Sequence, residues 1–177
     1  MPLYFWDDRN GEKYHTAYFG VYPGKWRHGD FIQVHSDTGA ITIYGRSDST
    51  LNPSGVRIGT AEIYNQVEKI EGVADSVAIG QDFKGDQRII LFVKLAPGVS
   101  LTAELQETIR KTLLRNASPR HVPAKIIAVP DIPYTLNMKK VESAVTNMVH
   151  GRPVSNRDAL SNPESLDFFR ELSELQD

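Results

Sequence analysis

The segment VADSVAIGQDFKGDQRIILFVKL, residues 73–95, contains two strand-like runs separated by a polar turn. Residues 73–79 and 88–95 are rich in valine, isoleucine and leucine, and residues 82–86 between them contain the turn formers Asp and Gly. Pro97 and Gly98 end the second run. We therefore predict two consecutive strands of a small sheet.

Apolar residues at helical spacing flank this segment on both sides. A first helix is predicted between a capping Thr60 and a stop at Gly72, with a stripe formed by Ile63, Val67 and Ile70. A second helix is predicted before Pro119, with apolar residues at every fourth position: Leu101, Leu105, Ile109 and Leu113.

The order of all elements indicates the fold class. Residues 31–35 and 40–44 alternate in polarity around the turn Asp37-Thr38-Gly39 and predict a β-hairpin. A strand at residues 125–129 and a third helix at residues 141–151 follow the second helix. Hairpin, helix, strand, strand, helix, strand and helix, in that order, predict an α+β fold in which helices cover a small sheet.

The two ends of the chain are less regular. Residues 1–29 contain many aromatic residues without a clear period, and they form either a local core or a surface that packs on another body. Residues 151–177 become rich in Ser and Asn, and we interpret them as a terminal extension with one last short helix.

Composition excludes several classes of protein. The chain has 177 residues, of which 40% are hydrophobic, and a formal charge of −2, so we expect a soluble globular protein without a nucleic-acid partner. It has no cysteine, which excludes disulfides, a thiolate nucleophile and a Cys-ligated zinc site. We find no signal peptide and no apolar run long enough to cross a membrane, and we expect a cytoplasmic protein without a membrane partner.

Common catalytic motifs are missing. Residues 20–25, GVYPGK, are one residue short of a phosphate loop, and neither a metal-binding histidine spacing nor a Gly-x-Ser-x-Gly elbow occurs. Charged residues in predicted loops remain as candidates, each of which is also compatible with an ordinary surface charge: Asp30, Arg46, Asp48, Arg57 and Lys139.

Three segments resemble the adenylate-forming acyl-CoA synthetases. Residues 45–63, GRSDSTLNPSGVRIGTAEI, resemble the hinge segment of that family. Residues 118–123 and 132–142 resemble its final motif, in which a lysine follows a Pro-x-Thr-x-x-x spacer. Further similarity to one branch of the family occurs in residues 4–6, 23–30 and 156–167, so the resemblance spans nearly the whole chain.

The resemblance implies a two-step ligase reaction. A small carboxylic acid attacks ATP, which is accompanied by Mg²⁺, and the thiol of coenzyme A then displaces AMP from the acyl-adenylate. It also implies that residues 1–47 end the large AMP-binding domain and that residues 48–150 form the mobile C-terminal domain. No metal is expected to bind to this chain itself.

The resemblance assigns roles by position. Asp30 matches the aspartate that binds the ribose hydroxyls, and Arg46 and Arg57 match arginines near the nucleotide. Asp48 matches the hinge residue. Lys139 matches the lysine that enters the site for adenylation, while the adjacent Lys140 is interpreted as a helix-surface residue.

The same comparison assigns the coenzyme A contacts. Ser54 and Gly55 match the segment that lines the pantetheine channel, and Arg115 and Arg120 are expected to hold the phosphates of coenzyme A.

Two departures from the family pattern affect the expected function. Asn137-Met138 stands where the family has Ser-Gly, so Met138 is strained if that position requires a positive φ. The phosphate loop, adenine pocket and acid pocket of the family belong to a large domain that this chain does not contain. We therefore expect the chain to be inactive alone and to self-associate through its aromatic first 29 residues. The alternatives are a non-catalytic interaction module and a ligase for a different acid.

Overall fold

The computed structural model describes residues 1–154 and 156–176, so Ser155 and Asp177 of the predicted terminal extension lie outside the described residues. The chain divides into two compact units, one comprising Met1–Asp30 and the other beginning at Phe31.

The first unit contains one helix that the sequence pattern did not predict. Helix α1 spans Glu12–Phe19 and buries none of its residues, which explains why no apolar period marks it. The Asp8 carboxylate accepts hydrogen bonds from the backbone N–H groups of Lys13 and Tyr14, at 3.0 and 2.8 Å. The rings of Tyr14 and Tyr18 lie 5.1 Å apart and form a local aromatic cluster with Phe5.

The predicted β-hairpin is confirmed. Strands β1 (Asp30–Val34) and β2 (Ile41–Arg46) form a two-stranded sheet, and the His35 N–H donates to the carbonyl of Ala40 across the turn. The rings of Phe31 and Tyr44 pack together, with centroids 5.5 Å apart. Four aliphatic side chains of the hairpin are exposed: Ile32, Val34, Ile41 and Ile43.

A three-stranded sheet forms the centre of the second unit. Strand β3 (Val73–Phe83) pairs antiparallel with β4 (Asp86–Leu95), and β4 pairs parallel with β5 (Lys125–Ala128). The predicted strands are confirmed, but β3 and β4 are longer than predicted and their turn consists only of Lys84 and Gly85. Both turn residues have positive φ, 51° and 82°, as a tight two-residue hairpin requires.

The three predicted helices are also present. They are α2 (Thr60–Val67), α3 (Ala103–Asn116) and α4 (Glu142–Val149). The prediction that Thr60 caps α2 is wrong, because Gly59 is the N-cap residue and Thr60 is buried in the first turn. The Glu62 side chain accepts the Gly59 N–H at 2.9 Å, so an acidic residue of the helix satisfies the donor at its start.

Helices cover both faces of the sheet, which confirms the predicted α+β fold. Alternate residues of β4 point to opposite faces: Leu91 and Val93 pack with α2 and α3, whereas Ile90 and Phe92 pack with α4 and the C-terminal segment. A register shift after Val73 in β3 places its side chain on the same face as Leu91.

The C-terminal segment contains three short 3₁₀ helices instead of the one short helix that was predicted. They span Arg157–Ala159, Pro163–Phe169 and Ser173–Leu175. The ring of Phe169 is fully buried and lies edge-on to Phe92, with centroids 4.8 Å apart. This segment therefore completes the core on one face of the sheet.

Candidate functional site

The end of β2 is packed against the start of α2 through two glycines. A Cβ on Gly59 would lie 2.2 Å from the carbonyl oxygen of Tyr44, so only glycine permits this approach. Gly45 has φ 131° and lies beside the Thr60 hydroxyl. The end of β2 is thus held against the start of α2, directly before Arg46.

Arg46 and Asp48 lie at this exit. Arg46 ends β2, Asp48 lies in the turn that follows, and their side chains form an ion pair of 3.3 Å. Both side chains are about half exposed, at 53% each. The hydroxyls of Ser49 and Thr50 donate to the Arg46 carbonyl, at 3.3 and 3.0 Å, and order the turn. The predicted hinge residue therefore occupies a short connection between two packed elements.

Arg57 lies on a loop closed by a β-bridge. Leu51 and Ile58 exchange two backbone hydrogen bonds of 2.9 Å and are both buried. Arg57 is exposed next to them, and its guanidinium pairs with no residue in the described part of the chain. Its five donors are therefore directed to solvent or to a ligand.

Ser54 and Gly55 form the tip of the same loop. Both adopt left-handed backbone conformations, with φ 51° and 78°. The Asp86 carboxylate accepts the Ser54 N–H at 3.0 Å and the Ser54 hydroxyl at 2.9 Å. The neighbouring Gln87 side chain accepts the N–H of Asn52 at 2.6 Å. The first two residues of β4 thus hold this loop in place through their side chains.

Arg120 interacts electrostatically with Asp86, whereas Arg115 forms no hydrogen bond or ion pair with the loop at Ser54 in the described part of the chain. Hydrogen bonds from Gln87 and Ser54 lower the pKa of the Asp86 carboxyl, and the charge of Arg120 lowers it further. Arg115 is exposed in the last turn of α3 and forms no hydrogen bond or ion pair among the residues described. The structure therefore brings Ser54, Asp86 and Arg120 together.

The segment that carries Arg120 is tied to α2. The Ser118 hydroxyl lies 2.8 Å from Nδ1 of His121, and Nε2 of His121 lies 3.4 Å from the Glu62 carboxylate. Glu62 also holds the Gly59 N–H. A hydrogen-bond chain therefore connects the Arg120 segment to the loop that ends at Gly59.

Lys139 lies at the end of a tight turn. The Thr135 N–H donates to the Lys139 carbonyl at 2.9 Å, and the Lys139 N–H donates to the Thr135 hydroxyl at 3.1 Å. Met138 has φ 57° and an exposed side chain, so this position does require a positive φ. Lys139 itself is exposed, and within residues 1–154 and 156–176 no acidic side chain pairs with its ammonium.

Lys140 is mostly buried and paired, unlike Lys139, and the sequence interpretation of Lys140 is wrong. It is not a helix-surface residue, because its ammonium donates hydrogen bonds to three acceptors: Glu68 Oε1 at 2.5 Å, Asp75 Oδ1 at 2.5 Å and the Ser76 carbonyl at 2.6 Å. Burial alone would lower the pKa of Lys140, but hydrogen bonds and charges from Asp75 and Glu68 outweigh it and raise the pKa.

Asp30 is part of the first unit. It is the first residue of β1, and its Oδ2 lies 2.6 Å from Nδ1 of His28. The imidazole therefore orients one oxygen of the carboxylate.

The described part of the chain has neither a metal-binding cluster nor a membrane-spanning helix. The described residues contain no group of three or more His, Cys, Asp or Glu side chains that could hold a metal ion. None of the helices found in residues 1–154 and 156–176 is long and apolar enough to cross a membrane.

Comparison with known proteins shows which enzymes this chain is similar to. No protein-family profile matches the chain. It is 57% identical over 176 residues to the acetoacetyl-coenzyme A synthetase of Rhizobium meliloti and 49% identical over 177 residues to the acetoacetyl-CoA synthetase of Danio rerio. The fold matches the acetoacetyl-CoA synthetase from Streptomyces lividans with a TM-score of 0.89 and 42% identity, over 100% of this chain. Over nearly its whole length, the chain is similar to the C-terminal part of acetoacetyl-CoA synthetases.

The chain corresponds to the C-terminal part of acetoacetyl-CoA synthetases. The two relatives match 99% of this chain, which spans 27% and 26% of their lengths, and it spans 27% of the Streptomyces chain. The amide bond synthetase McbA from Marinactinospora thermotolerans matches 82% of the chain with a TM-score of 0.64 and 18% identity, and it shares the fold alone. The resemblance inferred from residues 45–63 and 132–142 is therefore confirmed.

Proposed function

We propose that this chain, together with a large adenylating domain, catalyses the ligation of acetoacetate to coenzyme A, with ATP converted to AMP and diphosphate. The observation that carries the proposal is Lys139, an exposed ammonium on an ordered turn that pairs with no acidic side chain among the described residues, in a chain 57% identical to an acetoacetyl-CoA synthetase. Alone, the chain is inactive, because it spans about a quarter of such an enzyme.

In the first step, a carboxylate oxygen of the acid bonds to the α-phosphorus of ATP, and the bond to the β-phosphate oxygen breaks to release diphosphate. Lys139 contributes a compact positive charge beside the attacking carboxylate and the α-phosphate. A preorganised charge of this kind stabilises a transition state by about 3 to 4 kcal/mol. Mg²⁺ enters with ATP and is held outside this chain.

Three residues are proposed to bind the nucleotide. Asp30, oriented by His28, offers two acceptor oxygens to the vicinal ribose hydroxyls. Arg46 and Arg57 provide planar, permanently charged donors for the phosphate, a geometry that favours bidentate contacts.

In the second step, the thiol sulfur of coenzyme A bonds to the acyl carbon, its proton leaves, and the bond to the phosphate oxygen breaks to release AMP. Asp48 is the proposed hinge for the domain rotation between the steps, since it lies in the short turn after β2. Ser54 and Gly55 line the pantetheine channel, and Arg115 and Arg120 bind the phosphates of coenzyme A.

The proposed organisation follows the family. Residues 1–47 end the large domain, residues 48–150 form the mobile domain, and residues 151–177 form a terminal extension. We place the enzyme in the cytoplasm. Without the large domain, exposed aromatic residues in the first unit, such as Trp6 and Tyr4, would mediate self-association, which native mass spectrometry would detect.

One observation favours a second candidate function. Met138 occupies a left-handed position directly before Lys139, where strain works against a precisely placed lysine. A non-catalytic interaction module would tolerate this substitution. A ligase for another acid is the remaining alternative, because the acid pocket lies in the large domain.

The experiment is an assay for acetoacetate-, ATP- and coenzyme A-dependent release of AMP and diphosphate. It is run with this chain alone, with an added large domain, and with other short carboxylic acids in place of acetoacetate. Activity that requires both proteins and favours acetoacetate supports the proposal. A complex that binds but releases no AMP with any acid supports the non-catalytic module.

A further inference from the structure

Lys140 and Tyr134 are the two residues at the base of the turn that presents Lys139. They pair with each other in an isolated antiparallel β-bridge. In the next pair of the turn, the Thr135 N–H donates a hydrogen bond to the Lys139 carbonyl. The geometry of this base therefore sets the direction in which the Lys139 side chain points.

Both residues of the bridge are held by one carboxylate. Asp75 Oδ1 accepts the Lys140 ammonium at 2.5 Å, and Asp75 Oδ2 accepts the Tyr134 hydroxyl at 2.8 Å. Asp75 lies in β3, within the central sheet. The two strands of the turn are thus attached to the sheet at the same point.

The ammonium of Lys140 is attached at further points. Glu68, directly after α2, and the Ser76 carbonyl of β3 also accept from it, and the Tyr64 ring of α2 lies 4.5 Å away. Its side chain is 17% exposed, compared with 19% for Asp75 and 34% for Glu68. Such a network is shielded from solvent, so its charges interact more strongly than surface pairs do.

The inward direction of Lys140 determines the outward direction of Lys139. Successive side chains of an extended segment point to opposite sides. The Lys140 side chain points toward the sheet, where three acceptors bind its ammonium. The Lys139 side chain therefore points away from the sheet.

Resting on the proposed function of Lys139, we propose that Lys140 is a positioning residue for the adenylation step. With Asp75 and Tyr134, it holds the turn so that the Lys139 ammonium reaches the reacting phosphate as part of a preorganised site. Lys140 itself does not touch the substrate.

The test uses the enzyme assembled from this chain and a large domain, with two half-reactions measured separately. Adenylation is followed by acid- and ATP-dependent exchange of labelled diphosphate, and thioester formation is followed from added acyl-adenylate and coenzyme A. The variant Lys140→Met is expected to lower the adenylation rate constant about 100-fold, with unchanged KM for ATP, because a catalytic group displaced by about 1 Å costs that much. Thioester formation should remain near the unaltered rate.

Three further variants make the result interpretable. Tyr134→Phe removes one hydroxyl and leaves the ion pairs of Lys140, so it keeps the test informative if Lys140→Met does not fold; it should slow adenylation alone, by about threefold to tenfold. Lys111→Met, which breaks an exposed ion pair in α3, is the matched control and should change neither half-reaction. Lys139→Ala tests the proposed function separately, since an unchanged adenylation rate there would overturn that function.

Amide hydrogen exchange of the chain itself provides a readout independent of activity. Lys140→Met and Tyr134→Phe should speed the exchange of the Thr135 and Lys139 amides, for Lys140→Met roughly tenfold, with no change in the amides of α3. Equal losses in both half-reactions, or an unaltered adenylation rate in both variants with slow exchange at Thr135 and Lys139, would overturn the positioning role.

Discussion

Met138 adopts φ 57°, a left-handed conformation that costs a residue with a side chain about 1 to 2 kcal/mol. Replacing it with glycine removes this cost but increases the entropy of the unfolded chain, which opposes the gain by about 0.4 to 1 kcal/mol. Met138→Gly should therefore raise the free energy of unfolding by about 0.5 to 1 kcal/mol, measured by urea denaturation.

Asn137 provides the control for this substitution, because it precedes Met138 in the same turn and does not have a positive φ. Asn137→Gly should leave the stability unchanged or lower it. A Met138→Gly chain that is less stable than the unaltered one would show that the left-handed conformation is not strained.

The pKa directions at the Lys140 network predict a loss of stability at high pH. Burial and the Asp75 hydrogen bond raise the pKa of Tyr134 to about 12, and burial and Glu142 raise that of Tyr64 well above its ordinary value. The pKa of Lys140 is also raised. Above pH 10 the unfolded chain therefore loses protons that the folded chain retains, so the free energy of unfolding falls as the pH rises.

Urea denaturation at intervals from pH 8 to pH 11.5 measures this dependence. Tyr134→Phe removes one of the groups and should flatten the decline above pH 10. A decline as steep in Tyr134→Phe as in the unaltered chain would contradict the assignment of that tyrosine.

At this scale the sequence predicted the strain at Met138 but not the role of Lys140. The family resemblance places a glycine at position 138, and a glycine indicates a positive φ. The three acceptors of Lys140 lie 64 to 72 residues away along the chain, and no local pattern marks contacts of that range. The pairing of Ser54 with Asp86 was missed for the same reason.

At the scale of elements, Gly59 decides how β2 and α2 fit together. A Cβ there would overlap the Tyr44 carbonyl, so Gly59→Ala must displace backbone and should cost about 1 to 3 kcal/mol in the free energy of unfolding.

Gly39→Ala is the control for Gly59→Ala. A Cβ at position 39 would meet open space, and only the positive φ of 70° is unfavourable there. Thermal unfolding of both variants gives the difference. If Gly59→Ala were no more destabilising than Gly39→Ala, the close approach of β2 to α2 would not exist in solution.

Asp86, the first residue of β4, is expected to affect the binding of coenzyme A through the loop at Ser54. Asp86→Ala removes both acceptors of Ser54, and bonds of this charged kind contribute about 1.5 to 3 kcal/mol. In the assembled enzyme this should raise the KM for coenzyme A about tenfold or more without slowing diphosphate exchange.

Asp82→Ala is the matched control, because Asp82 is an exposed aspartate near the same turn that pairs instead with Arg152 and His150. Its KM for coenzyme A should be unchanged. Equal effects of the two substitutions would mean that Asp86 does not act through Ser54.

Periodicity explains which elements could be predicted. Helices α2 to α4 each bury one face, and the strands of the three-stranded sheet bury apolar side chains, so both leave an apolar pattern in the sequence. The hairpin buries none of its residues, but its alternation and its Asp/Gly turn indicate it. Helix α1 buries nothing, and the C-terminal 3₁₀ helices bury single residues such as Leu166 and Phe169 at no regular spacing. Neither α1 nor the 3₁₀ helices therefore leave a periodic signal in the sequence.

At the scale of the molecule, the sheet of the second unit is covered on both faces, and the C-terminal segment completes one of them. The element order was sufficient to predict this α+β architecture. The proposed partner, a large adenylating domain, was predictable only from the family resemblance, since no composition or spacing within the chain indicates a further domain. The exposed aliphatic side chains of the hairpin, such as Ile41 and Ile43, are consistent with the proposed partner.

The central claim is that Lys139 supplies the charge for adenylation. The most direct measurement is the rate of acetoacetate- and ATP-dependent diphosphate exchange in the assembled enzyme, compared between the unaltered chain and Lys139→Ala. We predict a loss of about 100-fold to 1,000-fold in exchange, while added acyl-adenylate is still converted to the thioester. Exchange at the unaltered rate in Lys139→Ala would contradict the account.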